Sequence, residues 1–349
     1  MIPSVFPEPA AFLPGSGEPT LRWGIIAPGG IAAAFAQSVQ QHSNQTIAGV
    51  ASRSRSRADE FAAKFGIDRV YASYEELVDS PEIDVVYVAA PVAMHVELGL
   101  LAIAAGKHVL VEKPLAPSAA DARRLVAAAR QQGILLMEGM WSRYLPQASV
   151  IRMLVDDGVL GEPRGVLAES CQAIPYDSEH RLYRPELGGG ALLDLGIYPI
   201  QLDSMILGAP TSVRAIGGLT QSGVDAYSTV VLGHGADAQS TLISSIIART
   251  DSSASIRGSE ARIEMAGPHH TPTSLTLRDN EVHGPRLTWT DSSGLTFYQA
   301  LSWEATALAT FVGEGRTESP LHSLDETVQI LETLDEARSQ LHFASGSTR

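Results

Sequence analysis

Between Leu21 and Trp141, short runs of β-branched and apolar residues alternate with longer Ala-rich stretches whose apolar positions recur at helical spacing. That rhythm marks repeated βαβ units and a parallel sheet. It predicts strands at Arg22–Ala27, Thr46–Ala51, Asp84–Ala90, His108–Glu112 and Ile134–Met137, with a short one near Val70. Helices are predicted at Ile31–Gln41, Arg57–Phe65, Tyr74–Val78, His95–Ala105 and Ser118–Gln132. Several of these stop at a glycine (Gly66, Gly106, Gly133), the residue favoured just past a helix end. The expected product is a doubly wound sheet.

The texture changes after Trp141. A helix is predicted at Pro146–Asp156 and a strand at Arg164–Ile174, followed by a long loop through Tyr183 to Gly188-Gly189-Gly190. From Thr211 to about Thr290, Ser-, Thr-, Val- and Ile-rich segments at short spacing are punctuated by glycines, the pattern of a largely antiparallel sheet. Two helices close the chain, near Ser302–Gly313 and Leu324–Leu341. No repeat of 20 to 50 residues is visible.

A length of 349 residues suggests two domains at roughly 150 residues each. Only 18% of residues are charged, against about 25% in ordinary soluble proteins, which points to surface buried between subunits and hence to a homodimer or higher homo-oligomer. Lys plus Arg is 25 and Asp plus Glu 39, a net charge of −14. That balance argues against a nucleic-acid partner, which needs a basic face. One cysteine, Cys171, cannot form an internal disulfide, so a reducing compartment, the cytoplasm, is expected. Residues 1–20 carry five prolines and no Lys or Arg, which reads as an extended arm rather than a signal peptide. No apolar run of about 18 residues is present to span a membrane.

The first strand runs into Ala27-Pro28-Gly29-Gly30-Ile31-Ala32 and then a helix, so backbone amides at a helix N-terminus stand where a pyrophosphate could bind. A plain tight turn would use the same residues. The position after the first strand of a βαβ series favours the nucleotide reading. The second strand ends at Ser52-Arg53-Ser54-Arg55, with Arg57 close by, where an NAD site normally has an acidic residue for the ribose hydroxyls. A hydroxyl followed by guanidinium suits a 2′-phosphate and predicts NADP(H) over NAD(H); the alternative is a solvated cluster at a helix start. The fold class is therefore α/β: an N-terminal Rossmann domain, 21–140, preceded by the arm, 1–20, and followed by an α+β domain, 141–349, with a large, mostly antiparallel open sheet. The last domain is assigned to substrate binding and dimerisation. Pro91, and His95 at the start of a helix beside the expected cofactor cleft, are further cofactor candidates, although a histidine there can equally cap or pack.

Gly106 to Pro114 reads GKHVLVEKP, Met137 to Pro146 reads MEGMWSRYLP and Gly188 to Ile200 reads GGGALLDLGIYPI. In these strings the chain resembles the glucose–fructose oxidoreductase and inositol dehydrogenase (Gfo/Idh/MocA) family over most of Leu21 to about Leu341. It is most similar to the branch of dimeric trans-dihydrodiol dehydrogenases and NADP-dependent D-xylose 1-dehydrogenases. The chain has Ala27 where the family's first glycine stands and Val92 where many members carry an Asn that touches the cofactor. It also has Tyr198 and Gln201 where most show His and Asp. The resemblance implies a sugar, polyol or diol substrate and a dimer built on the open sheet.

A dehydrogenase needs a group that takes the hydroxyl proton and another that steadies the developing alkoxide. Tyr198 is the candidate general acid/base, and Lys113 the cation that would favour its phenolate, since an unperturbed tyrosine titrates near 10. Lys113, flanked by Glu112 and Pro114, ends a central parallel strand, the edge where open α/β sheets bind ligands. Asp194 lies four residues before Tyr198, on the same face if the segment is helical, and would orient the substrate or the tyrosine; a helix-start cap is the alternative. Pro199 predicts a late start or a bend there. The triple glycine would let backbone approach a polyol, or simply turn the chain. Where the resemblance implies one wall of the site, Trp141 suits a ring face and Arg143 a hydroxyl or carboxylate, although Trp141 could serve packing alone. Phe297 and Tyr298 would close the pocket. No metal motif occurs, and His269 and His270 read as loop residues. Two other activities fit the same features: a cofactor-loaded sensor without turnover, and an NAD-dependent redox-assisted glycosidase.

Overall fold

The computed structural model describes residues 2–346, with side chains through Leu341. The chain divides into two compact units, one formed by Ala11–Tyr144 with Leu295–Val328, the other built on Leu145–Gly294 with segments from both chain ends.

In the first unit, β1 (Arg22–Ile26), α1 (Gly30–His42), β2 (Thr46–Ala51), α2 (Arg55–Phe65), β3 (Arg69–Tyr71), α3 (Tyr74–Asp79), β4 (Val85–Val88), α4 (His95–Ala104), β5 (His108–Glu112), α5 (Ala119–Gln132) and β6 (Leu136–Gly139) alternate as the periodicity predicts. All strand pairs are parallel, in the order β3-β2-β1-β4-β5-β6. The order reverses between β1 and β4, the switch point beside which ligands bind in such sheets. Strands β4 and β6 are buried throughout, because helices cover both faces of a parallel sheet. Ser54, Ser73 and Ser118 cap α2, α3 and α5 by accepting from the N–H three residues on, each worth about 1 kcal/mol. Gly66 and Gly133 end α2 and α5 in the left-handed conformation.

The second unit holds α6 (Pro146–Asp156), β7 (Pro163–Cys171), α7 (Ile197–Leu207), β8 (Ser212–Leu219), β9 (Asp225–His234), β10 (Ala238–Ser245), β11 (Ala254–Gly258), β12 (Ala261–Met265), β13 (Ser274–Asp279) and β14 (Arg286–Thr290). Its sheet runs β14-β13-β12-β11-β7-β10-β9-β8, antiparallel except where β7 meets β10. One face is buried through Val166, Ala168, Val230, Leu232 and Ile256, and α7 packs across β7.

Of the last two helices, α8 (Leu301–Gly313) belongs to the parallel-sheet unit, where it packs on α1. The Ser38 hydroxyl joins them, donating to the Gln299 carbonyl at 2.6 Å and accepting from Ser302 N–H at 2.8 Å. Helix α9 (Leu324–Gly346) ends the described chain. Phe12, from the proline-rich arm, lies edge-on to Tyr144 and Phe311.

Candidate active site

In the parallel-sheet unit, β1 ends at Ile26 and the chain turns through Ala27 in the left-handed region, φ 64°. The Ala27 N–H donates to the Ala51 carbonyl at 3.2 Å, which ties the turn to the end of β2. Gly29 caps α1 without a side-chain bond, and the first turn carries no acidic residue, so the first N–H groups of the helix have no side-chain acceptor. A Cβ on Gly30 would meet nothing within 4 Å, and on Gly29 only the Ala27 carbonyl at 3.9 Å. Gly24, by contrast, is required by Leu77, 2.7 Å from such a Cβ. The chain's own packing does not demand glycine at 29 and 30. An open cradle of amides at a helix N-terminus does, and it fits a dinucleotide pyrophosphate. Ile31 and buried Ala32 continue α1 behind it.

At the end of β2, the Ser52 hydroxyl accepts from Ser54 N–H at 3.2 Å. Arg55 is committed to Asp59, whereas the exposed side chains of Arg53 and Arg57 have no ion-pair partner among the described residues. Their chemistry suits a 2′-phosphate.

The edge formed by β4, β5 and β6 is pinned by side chains. The His95 imidazole is enclosed, with Nδ1 2.8 Å from the Pro114 carbonyl and Nε2 2.8 Å from the Ala90 carbonyl, so it bridges the turns that leave β4 and β5. Burial pulls its pKa below the ordinary value. Pro91 starts the turn between these contacts. Glu138, on β6, accepts from Leu115 N–H at 2.8 Å and lies 2.7 Å from His322 Nε2, with Thr327 also donating to it. Lys113 therefore sits on a loop held from both sides. Glu112, one residue earlier, accepts from the Tyr87 hydroxyl at 2.5 Å and from Lys113 N–H at 3.2 Å, while Phe35 stacks on Tyr87.

Trp141 follows β6 and meets the rings of Phe297 and Tyr298 at 6.4 and 6.1 Å. Arg143 is 2% exposed and ion-paired with Glu326 at 2.5 Å, and it donates to the Leu321 carbonyl. Burial works to raise the Glu326 pKa, but hydrogen bonding to His322 and the Arg143 charge outweigh it and hold the carboxyl well below its usual range. Much of the Arg143 fork is thus occupied within the protein. Glu304, on α8, is fully buried with neither carboxyl oxygen hydrogen-bonded; burial, then the Glu112 charge, drive its pKa well upward.

In the other unit, Gly189 and Gly190 serve the chain's own packing. A Cβ on Gly189 would overlap the Leu182 carbonyl, and one on Gly190, φ 118°, the Asp225 carboxylate, which accepts Leu192 N–H at 2.6 Å. A π-helical turn, Leu192–Gly196, runs directly into α7, so Pro199 is the third residue of that helix and follows the widened turn closely. Asp194 lies in the wide turn and is gripped by the Arg181 guanidinium at 3.0 Å. Tyr198 is buried, and the His270 ring lies flat on it, centroids 4.1 Å apart and planes 14° apart. His269 and His270 occupy a turn, as expected of loop residues, and both are buried.

Sequence reading missed Glu138, His322, Glu304, Glu326, Arg181 and His270 as site supports. Glu138 and Glu304 carried one signal, a lone carboxylate inside an apolar run; the others depend on long-range pairing. Most of the chain also matches known families. Residues 21–140 match the model described as oxidoreductase family, NAD-binding Rossmann fold, and residues 149–264 match the GFO/IDH/MocA C-terminal domain. The chain belongs to the Gfo/Idh/MocA family of oxidoreductases. It is 33% identical over 332 residues to trans-1,2-dihydrobenzene-1,2-diol dehydrogenase of Bos taurus, covering 92% of this chain and 97% of that protein. To the enzyme of the same name from Xenopus laevis it is 35% identical over 324 residues, covering 92% and 98%. A crystal structure of a 3-ketoreductase from Actinomadura kijaniata with NADP and TDP-benzene superposes with a TM-score of 0.78 at 27% identity, covering 92% and 98%. The protein is an NAD(P)-dependent dehydrogenase or reductase, as the sequence led us to expect.

Proposed function

We propose that the protein is an NADP(H)-dependent enzyme acting on a sugar or cyclic diol, of the aldose 1-dehydrogenase or trans-dihydrodiol dehydrogenase type. The observation that carries this reading is the open glycine cradle at α1 beside two guanidinia, Arg53 and Arg57, without ion-pair partners among the described residues. The names of the Bos taurus and Xenopus laevis relatives support the diol class, and NADP in the Actinomadura structure supports the phosphorylated cofactor. Bound NADP(H) supplies or accepts the hydride. Ala27, Gly29, Gly30, Ile31 and Ala32 bind the pyrophosphate, Ser52, Arg53 and Arg57 the 2′-phosphate, and Pro91, His95, Glu112 and Lys113 form the wall on the nicotinamide side. In oxidation, Tyr198 takes the hydroxyl proton of the substrate on its phenolate oxygen and returns it in reduction. The Lys113 ammonium stabilises that phenolate and the developing alkoxide. Asp194, steadied by Arg181, orients substrate hydroxyls, with Trp141 and Arg143 contributing the remaining wall. The same reading includes a homodimer and a cytoplasmic setting.

The test is a screen of monosaccharides and trans-diols with NADP and NAD, followed by reduced-nicotinamide absorbance. Net reduction supports the reading. Cofactor binding without turnover would favour a sensor, and glycoside cleavage without net reduction a redox-assisted glycosidase. Tyr198→Phe and Lys113→Ala are each expected to lower kcat/KM by about 100-fold or more. Their double mutant should lose much less than the product of the two, since residues acting as a unit are non-additive. Full activity of Tyr198→Phe would remove the phenol from the reaction.

A further inference from the structure

The turn after β12 does more than connect strands, because its geometry is over-determined. His269 N–H donates to the Ser252 carbonyl at 2.9 Å. Thr271 returns two bonds to the Pro268 carbonyl, from N–H at 3.1 Å and from its hydroxyl at 2.9 Å. Gln147, from α6, donates to the Thr271 carbonyl at 2.6 Å, and a Cβ on Gly267 would overlap the Asp251 carbonyl. His269 stands edge-on to His270, centroids 5.4 Å apart at 86°. The result is an imidazole held parallel to the Tyr198 ring at 4.1 Å.

We propose that His270 is a positioning residue for Tyr198: its ring, fixed by the turn, sets the plane of the phenol and so the direction in which the hydroxyl points. This rests on the reading of Tyr198 as the proton-transfer group. A group that exchanges a proton must come within about 2.6–3.2 Å of its target. A misplacement of about 1 Å can cost on the order of 100-fold. Tyr198 sits on the second residue of α7, just after a π turn, where backbone geometry alone holds a side chain less firmly than mid-helix. The stack adds a restraint on the plane of the ring.

The test uses the full chain with its cofactor and the substrate found in the screen. His270→Ala is expected to lower kcat about ten-fold, with KM and the NADP Kd changed less than about two-fold. His270→Phe, which keeps a flat ring, should recover most of the loss. Equal kcat for His270→Ala and the wild type would overturn the proposal. So would a His270→Phe variant as slow as His270→Ala. If His270→Ala melts below the assay temperature, His270→Gln replaces it. A second readout needs no turnover: NMR of ring-labelled tyrosine, with the Tyr198 signal identified by its loss in Tyr198→Phe. The two edges of the ring should be inequivalent in the wild type and averaged in His270→Ala; identical line shapes would overturn the proposal. If Tyr198→Phe proves fully active, the proton-transfer reading falls while this measurement still decides whether His270 restrains the ring.

Discussion

At Ala27 the backbone adopts φ 64°, a region where a Cβ costs roughly 1–2 kcal/mol. Replacing it by glycine removes that strain but adds roughly 0.5–1 kcal/mol of unfolded-chain entropy. The strain outweighs the entropy, so Ala27→Gly should stabilise the protein by about 0.5–1 kcal/mol, read as a higher denaturant midpoint with the slope unchanged. A lower midpoint would show that the methyl group packs usefully. Arg53 offers the complementary case, an exposed side chain whose value emerges only with ligand. Arg53→Ala should weaken NADP about ten- to 100-fold, the worth of a charge-assisted hydrogen bond, and leave NAD nearly unchanged. Titration calorimetry with both cofactors decides it; equal losses for the two would mean that Arg53 does not read the 2′-phosphate.

Among the elements, α8 brings a carboxyl, Glu304, into the interior of the parallel-sheet unit without a hydrogen-bond partner. An unpaired buried carboxylate is far costlier than a neutral acid, so the native state keeps a proton that the unfolded chain releases above about pH 4.3. With the folded pKa above the unfolded one, stability falls as pH rises from the unfolded value toward the folded one. Glu304→Gln carries no such proton. Its stability relative to the wild type should climb as pH rises above the unfolded carboxyl value of about 4.3. Any constant offset reports packing instead, and parallel stability curves would show that Glu304 is ionised or solvated in the fold. Elements of strong period were legible from sequence: β2, β5 and α6 fall on the residues expected, and the remaining strands of the parallel sheet differ from expectation by a few residues at their ends. Other features were not, because local periodicity carries no record of distant partners. The packing of α8 on α1, the Arg143–Glu326 pair and the Glu138–His322 brace join residues far apart in the chain. The close neighbours of Gly189 and Gly190 are Leu182 and Asp225, visible only once the chain is folded.

For the molecule as a whole, low charge content and the open face of the eight-stranded sheet bear on one question. Direct cross-strand partners put Leu167, Thr241, Val231 and Arg214 on that face in one row, and Glu169, Ile243, Thr229 and Ile216 in the next, while the opposite face is covered. Leu167 and Ile216 are 46% and 74% exposed, an unusual place for branched aliphatic side chains in a sheet centre and edge. A face on which Leu167, Val231, Ile243 and Ile216 stand among threonines, with one charge at the end of each row, in a chain with 18% charged residues, gains by being covered by a second copy. An isologous pairing would place the same face on itself, and an interface of about 1,200–2,000 Å² is the size such a contact needs. Sedimentation equilibrium should therefore give twice the 37.1 kDa chain mass. Ile216→Lys, a change at an exposed position of the antiparallel sheet, should shift the population toward the monomer while leaving NADP affinity within about two-fold, because two like charges would face one another across the axis. A wild-type monomer at micromolar concentration would refute the assignment of this face, and an undisturbed Ile216→Lys dimer would move the interface elsewhere on the chain.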